Sequence, residues 1–506
     1  MVESEHYLAT ARVIADYLAE RQRPDGSFPG PDHYGVAWAL WLWSSLGGRF
    51  EAAARSALQR LEAETPRSHG EFNAYALLHC RDLLPRGSAY RLLCRLRFGR
   101  RHSANWMLLR AVCRAQSASR LSQRRGALEA RVALARYARG GFIADRARVR
   151  SFAYHAFCGA LLADLWRTRG YRWAGLAAAR AAQFIASFVL PNGDCLYVGR
   201  GQQQIFGYGA LLHLLEAAAG LTGRDEFRGL ADRVSGHLTG FQRPDGSFPL
   251  VLRDDEPAEP WVPRPLPGWY SYNRYGDYLP FLGCMLLKAA QANVPPLPAA
   301  APLGRSLPQP RPLDFQVHRT ARYTAVLSCP GGASTNDLAF PYLCADGASL
   351  FPCYGAEEMV PPEAVPLPFG VLADGRAYGF RDHLRYRLTD RGLKGTSALA
   401  RHIRTFDFGP DGFICRDEIR FGQTCSLARF VPANFLFRNL RALPNGGHQT
   451  AYAGAAARLR LSDPASIVPD AAASASGHLI ALRHSVAPFR ARRGDTLSVW
   501  LEVRFP

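Results

Sequence analysis

Four short segments carry side chains suited to gripping sugars and their carboxylates, and each leads into a stretch with helical periodicity. His102-Ser-Ala-Asn-Trp106 sets the carboxamide of Asn105 beside the indole of Trp106, with His102 just ahead. Ser151-Phe-Ala-Tyr-His-Ala-Phe-Cys158 places Tyr154 next to His155. In Tyr197-Val-Gly-Arg-Gly-Gln-Gln-Gln204, Gly199 and Gly201 free the backbone around Arg200, and Gln202 and Gln203 follow. A guanidinium so placed can hold a carboxylate through two hydrogen bonds. The segment lacks Gly-x-x-x-x-Gly-Lys and is therefore no phosphate loop. The fourth, Trp269-Tyr-Ser-Tyr-Asn-Arg-Tyr-Gly-Asp277, groups Tyr272, Asn273, Arg274 and Asp277. Plainer roles compete with each: Asn105 as a helix cap, Tyr154 and His155 as satisfied half-buried groups, the last segment as packing between domains.

The elements that must position these residues follow from periodicity. From residue 5 to about 291 apolar residues recur at i, i+3, i+4 and i+7, broken by Gly, Pro or Asp-Gly turns. The pattern predicts about twelve helices, starting near residues 5, 33, 50, 70, 88, 102, 124, 151, 173, 204, 225 and 272, which pair into six hairpins. Gln22-Arg-Pro-Asp-Gly-Ser-Phe-Pro29 recurs as Gln242-Arg-Pro-Asp-Gly-Ser-Phe-Pro249, and each copy reads as a turn between helices. Residues 293–313 are Pro/Ala-rich and read as a semi-rigid linker. Beyond it the period falls to two, as in Arg322-Tyr-Thr-Ala-Val-Leu-Ser328 and Phe413-Ile-Cys-Arg-Asp-Glu-Ile419. Many short strands without helices between them imply an antiparallel sandwich. The expected architecture is an N-terminal α/α toroid (1–292), a linker (293–313) and an antiparallel β-sandwich (314–506). Ligands of a helical toroid bind where the inner helices and their loops open.

Composition narrows the partners. The 506 residues are 48% hydrophobic and 21% charged, as in ordinary folded domains. No apolar run approaches the roughly 18 to 20 residues of a spanning helix, so no membrane partner is expected. The first residues lack a basic stretch followed by an apolar one, so the expected location is the cytoplasm, or the periplasm or exterior if a leader precedes this chain. The 11 cysteines form no CxxC pair or Cys/His cluster at zinc spacing, so no metal and no cofactor is expected. Only Lys288 and Lys394 are lysines, so 60 of the 62 basic residues behind the +20 charge are arginine. Part of that bias reflects a GC-rich genome; the rest fits a polyanion. Basic runs such as Arg95-Leu-Arg-Phe-Gly-Arg-Arg-His102 lack nucleic-acid-binding patterns, which leaves acidic polysaccharide rather than nucleic acid.

In these segments the chain resembles the heparinase II/III-like polysaccharide lyases, which join an incomplete α/α toroid to a β-sandwich and cleave uronic-acid polysaccharides by β-elimination. Asn105 and Tyr154, 49 residues apart, match in order the family's Asn and the Tyr of its Tyr-His pattern. Cys329-Pro-Gly-Gly-Ala-Ser-Thr-Asn-Asp-Leu-Ala-Phe340 is similar to the family's Gly-His-x-His-x-Asp run. Ser334 and Asn336 replace its histidines, while Asp337 and Phe340 are kept. The hyaluronate and chondroitin AC lyases offer a partial likeness through Asn105-Trp106, His155 and Arg200.

The resemblance implies a catalytic set of Asn105, Tyr154, His155 and Arg200. The C5 proton of a uronate is barely acidic until its carboxylate is neutralised, so Asn105 and Arg200 are assigned to the carboxylate. Tyr154 moves the proton, with His155 assisting or replacing it. His102, Trp106, Gln202, Gln203, Tyr272, Asn273, Arg274, Asp277 and Asn336 are assigned to substrate binding. Two other readings stand beside this one. A non-catalytic toroid that binds acidic polysaccharide would fit the replaced histidines. A glycoside hydrolase would need two carboxylic acids facing the cleft, and Asp32, Asp145, Asp194 and Asp277 are the candidates.

Overall fold

The computed structural model describes residues 5–147, 149–201, 203–252, 261, 274–292, 294–298, 315–329, 338–351, 361–380, 384–474 and 477–506. Among them the N-terminal half holds twelve α-helices: α1 (Glu5–Arg21), α2 (Gly35–Leu46), α3 (Glu51–Ala63), α4 (Gly70–Cys80), α5 (Ser88–Arg95), α6 (Ala104–Ala115), α7 (Arg120–Tyr137), α8 (Phe152–Arg169), α9 (Arg172–Ala186), α10 (Ile205–Thr222), α11 (Glu226–Thr239) and α12 (Tyr275–Ala290). Each even-numbered helix packs on the next even one, and α12 packs back on α2, so six inner helices close a ring. The toroid is complete.

Burial sorts the two layers. The odd-numbered helices lie outside the ring, each packed on its even-numbered neighbour, and they are amphipathic. On α11 the buried set is Phe227, Leu230, Ala231, Val234, Ser235 and Leu238, a single stripe. The inner helices are buried on nearly every side; on α12 fifteen of sixteen residues are buried. Helix α10, contrary to the expectation that no such run exists, is long and apolar enough to cross a membrane by length and composition, and 83% of it is buried inside the protein. Deep in the ring, Lys288 Nζ lies 2.5 Å from Asp164 Oδ2, Tyr75 donates to the same oxygen, and His213 meets Oδ1 at 3.3 Å. These contacts tie α4, α8, α10 and α12 together.

The two Pro-Asp-Gly copies form the same turn. Asp25 Oδ1 accepts from the amide and hydroxyl of Ser27 at 3.0 and 2.7 Å, and Asp245 treats Ser247 identically. Each connects an outer helix to the inner one that follows, as expected.

The C-terminal half is antiparallel. An eight-stranded sheet, built around the strands 400–409, 412–421 and 496–504, faces a five-stranded sheet and a four-stranded one. Phe406, Phe413 and Leu501 from the first meet Phe435 and Phe340 from the opposite side. In the four-stranded sheet every residue of Tyr323–Ser328 is buried, the polar Thr324 and Ser328 included, so this strand has no exposed face. Its alternate residues enter different cores: Ala325 and Leu327 join the sandwich, while Val326 joins the helical core with Tyr342 and Cys344. The expected linker falls mostly outside the described residues. Its residues 294–298 lie against the helices, where the Pro295 carbonyl accepts from Trp166 Nε1 and Leu297 donates to the Leu221 carbonyl.

Candidate active site

All six inner helices send their N-terminal ends toward one cavity of about 380 Å³. Tyr34 comes from the start of α2, His69 of α4, Asn105 of α6, Tyr154 of α8, Phe206 of α10 and Tyr278 of α12. A helix N-terminus carries roughly half a positive charge in unpaired N–H groups. Arg101, Arg146 and Arg200 add three guanidinium groups to the lining, so the site favours an anion.

Arg200 is held in place by its backbone. Residues 199–200 pair with 150–151 through an isolated bridge from Ser151 to Gly199 and the bond from Arg200 N to the Arg150 carbonyl. Gly199 has φ +83°, and a Cβ there would lie 2.2 Å from the Arg150 carbonyl oxygen, so only glycine fits. The guanidinium ion-pairs with Asp145 at 3.2 Å and its Cζ sits 5.6 Å from the centre of the Tyr154 ring. Tyr154 stands in the first turn of α8, where its amide donates to the capping hydroxyl of Ser151 at 3.1 Å.

Asn105 is no helix cap. It is the second residue of α6, buried, and its Oδ1 accepts from Ser103 Oγ at 2.5 Å, which leaves the Nδ2 hydrogens as the donors for a ligand. Trp106 lines the same cavity, with the Arg101 Cζ 4.7 Å over its ring. Asp145 is buried beside them, its carbonyl accepting from the first amide of α6. Burial pushes its carboxyl up, against the pull of Arg200, and among the described residues Oδ1 has no hydrogen-bond partner.

Several expected site residues lie elsewhere. His155, expected to assist Tyr154, is fully buried on a face of α8 turned away from the cavity, between Phe142 and Phe184. Its Nδ1 accepts from Ile143 N and its Nε2 donates to the Ala181 carbonyl, both at 3.0 Å, so it is a structural histidine. Gln203 is not in the cavity: its Nε2 donates to Asp194 Oδ2 and the Tyr342 hydroxyl, joining the helical half to the β half. His102 is exposed outside the lining, and its carbonyl accepts from Tyr137. Arg274 sits at the N-cap of α12, also outside the lining. Gln202, Tyr272, Asn273 and Asn336 fall outside the described residues, as do Ser334 and Asp337.

Asp277 does line the cavity, but its carboxylate is occupied. Oδ1 accepts the amides of His33, Tyr34 and Gly35 at 2.8 to 2.9 Å, and Oδ2 lies 3.1 Å from His33 Nδ1. Of the other carboxylate candidates, Asp194 is consumed by Tyr208, Gln203, Tyr342 and Ser349. Asp32 lies outside the lining, and burial together with the neighbouring charge of Asp277 pushes it up to about 6.

Sequence reasoning overlooked His33, His69, Arg101 and Arg146. The signal was present for the two histidines: helix starts near 33 and 70 are legible, and polar or aromatic residues at inner-helix starts are the ones to inspect. His69 adopts the left-handed conformation at φ +54°, and burial, helped by His33, pushes its imidazole down to about 4. Among the described residues no group of three or more His, Cys, Asp or Glu side chains is arranged to hold a metal ion.

No protein-family model and no curated protein matches the chain. Solved structures do. A sugar epimerase from a ruminal bacterium is 12% identical, with 58% of this chain and all of that one aligned at a TM-score of 0.46. A polysaccharide lyase is 10% identical over 57% of this chain and 97% of its own, at 0.42. A mutant heparan sulfate lyase from Pedobacter heparinus is 13% identical over 98% of this chain and 82% of its own, at 0.34.

Proposed function

We propose that this chain is a polysaccharide lyase that cleaves a uronic-acid-containing polysaccharide by β-elimination. The observation that carries the reading is the convergence of Asn105, Tyr154 and Arg200, from three separate segments, on one cation-rich cavity. In this reading Arg200 and the Nδ2 hydrogens of Asn105 hold the uronate carboxylate and take up the charge that develops on it as the C5 proton leaves. Tyr154 transfers a proton at the scissile bond. The Arg200 guanidinium beside its ring offsets charge left on the phenol oxygen. Trp106, Phe206 and Tyr278 offer aromatic faces to the sugar rings.

One observation favours a second reading. Asp145 lines the cavity with a carboxyl raised by burial and an oxygen without a hydrogen-bond partner among the described residues, which suits the general acid of a glycoside hydrolase. A screen of acidic polysaccharides, read by the absorbance of unsaturated uronate, separates the two. The lyase reading expects that absorbance to rise with at least one uronate polymer. New reducing ends without it would establish hydrolysis instead, and binding without either product would leave a silent binding protein.

A further inference from the structure

The cavity also holds an imidazole that comes from neither α8 nor the β half. His33 lines it with 28% of its side chain exposed, whereas its partner Asp277 is only 2% exposed. With Oδ1 of Asp277 saturated by three backbone amides, Oδ2 is the oxygen left for His33 Nδ1, and the carboxylate is anchored against rotation. An ionised carboxylate only accepts hydrogen bonds, so Nδ1 carries the hydrogen and Nε2 keeps a lone pair. The backbone of His33 is held at both ends, its amide on Asp277 and its carbonyl accepting from Asn73 Nδ2 at 3.0 Å.

We infer that His33 and Asp277 form an imidazole–carboxylate dyad, with His33 a catalytic residue of the elimination and Asp277 its positioning residue. The inference rests on the lyase reading. His33 Nε2 takes the C5 proton, and the C5–H electron pair becomes the C4–C5 double bond. The C4–O4 bond breaks, and the Tyr154 hydroxyl gives its proton to O4. Asp277 then faces an imidazolium, and Arg200 faces a tyrosinate. Passage of one proton from His33 to Tyr154 through water restores both, with no other reactant. The role expected of His155 thus passes to an imidazole on α2's side of the ring.

The charged and titratable groups beside His33 are Asp277 from α12, His69 at the start of α4 and Asp32 in its own loop, and Arg101 ahead of α6 lines the same cavity. The ring of His69 lies 4.3 Å from that of His33, and it stays neutral through the range where an imidazole titrates.

The test uses the full chain, with folding checked by circular dichroism. In His33→Gln, kcat on the polymer found by the screen falls by at least about 100-fold. KM stays within a few-fold, and the pH profile of the rate changes. Nitrogen-15 NMR of the wild type shows hydrogen on Nδ1 of His33 and none on Nε2, and Asp277→Asn reverses that tautomer. The dyad is overturned if the wild type carries its hydrogen on Nε2, or if His33→Gln keeps its rate and pH profile while Tyr154→Phe is inactive; the lyase reading survives both results. If the wild type cleaves no uronate, the lyase reading falls and the catalytic role falls with it, while the tautomer still decides whether the pair exists.

Discussion

Gly35 and Gly276 lie back to back where the last inner helix meets the first: a Cβ placed on Gly35 would stand 1.8 Å from the Gly276 carbonyl oxygen. That approach brings the amides of residues 33–35 onto Asp277, so one contact closes the ring and builds a wall of the cavity.

Gly35→Ala is therefore predicted to destabilise the protein by about 3 kcal/mol or more, the upper range for an overpacked core, because backbone has to move. Gly229, inside α11 with nothing within 4 Å of an added Cβ, is the control. Gly229→Ala should stabilise by roughly 0.5 to 1 kcal/mol. Urea midpoints measure both. Equal midpoints for the two variants would show that the α2–α12 crossing is looser than described.

Tyr154→Phe keeps the ring that packs 5.3 Å from Phe206 and removes only the hydroxyl. Turnover should fall at least about 100-fold while polymer binding stays nearly intact. Calorimetric affinity beside initial rates separates the two effects. A Phe variant as fast as the wild type would remove Tyr154 from the mechanism.

For Asn105→Ala the expected loss is different in kind. Stabilisation of the enolate should drop by roughly 3 kcal/mol in kcat/KM. Ser103→Ala frees the carboxamide from its only described hydrogen bond and should produce a smaller loss of the same sign. If Ser103→Ala costs more than Asn105→Ala, Ser103 rather than Asn105 is the group that meets the substrate.

How far the sequence anticipates all this depends on the range of the interaction involved. The twelve helix starts are legible to within four residues because a local 3.6-residue period and local turns set them, as with Gly35 against the expected 33 and Arg120 against 124. Asn105, Trp106, Tyr154 and Arg200 are legible as candidates because they stand at helix starts or in a glycine-flanked loop. The distinct fates of Tyr154 and His155 follow from the ~100° between neighbours on a helix, although which of them faces the cavity takes the packed ring to decide. Gln203 is misread because its partner, Tyr342, lies 139 residues away in a β-strand. The same holds for Asp277, whose acceptors' donors come from residues 33–35, across the ring closure. No local pattern encodes either contact.

The last prediction concerns acid. His155 is fully enclosed, and burial pushes its imidazole from 6.5 down to about 4, a shift only partly opposed by the Ala181 carbonyl. A proton added at Nδ1 would also meet the Ile143 amide, which already donates there. The unfolded chain therefore binds more protons than the folded one between pH 6.5 and about 4, and stability rises with pH across that window. Above pH 6.5 the penalty is absent. It grows as pH falls and levels off below about 4, reaching roughly 3 kcal/mol for this residue. His213, also pushed down to about 4 chiefly by burial, acts in the same direction. Urea midpoints should hold steady above neutrality and decline from pH 6.5 downward, with the carboxyl of Asp32, pushed up to about 6, offsetting part of the decline. His155→Gln, which keeps one donor and one acceptor but cannot take up a proton, should flatten that decline relative to its own neutral-pH midpoint. A His155→Gln midpoint that declines as steeply as that of the wild type between pH 6.5 and about 4 would mean that His155 takes up its proton inside the fold, and its assignment as a structural histidine would have to be withdrawn.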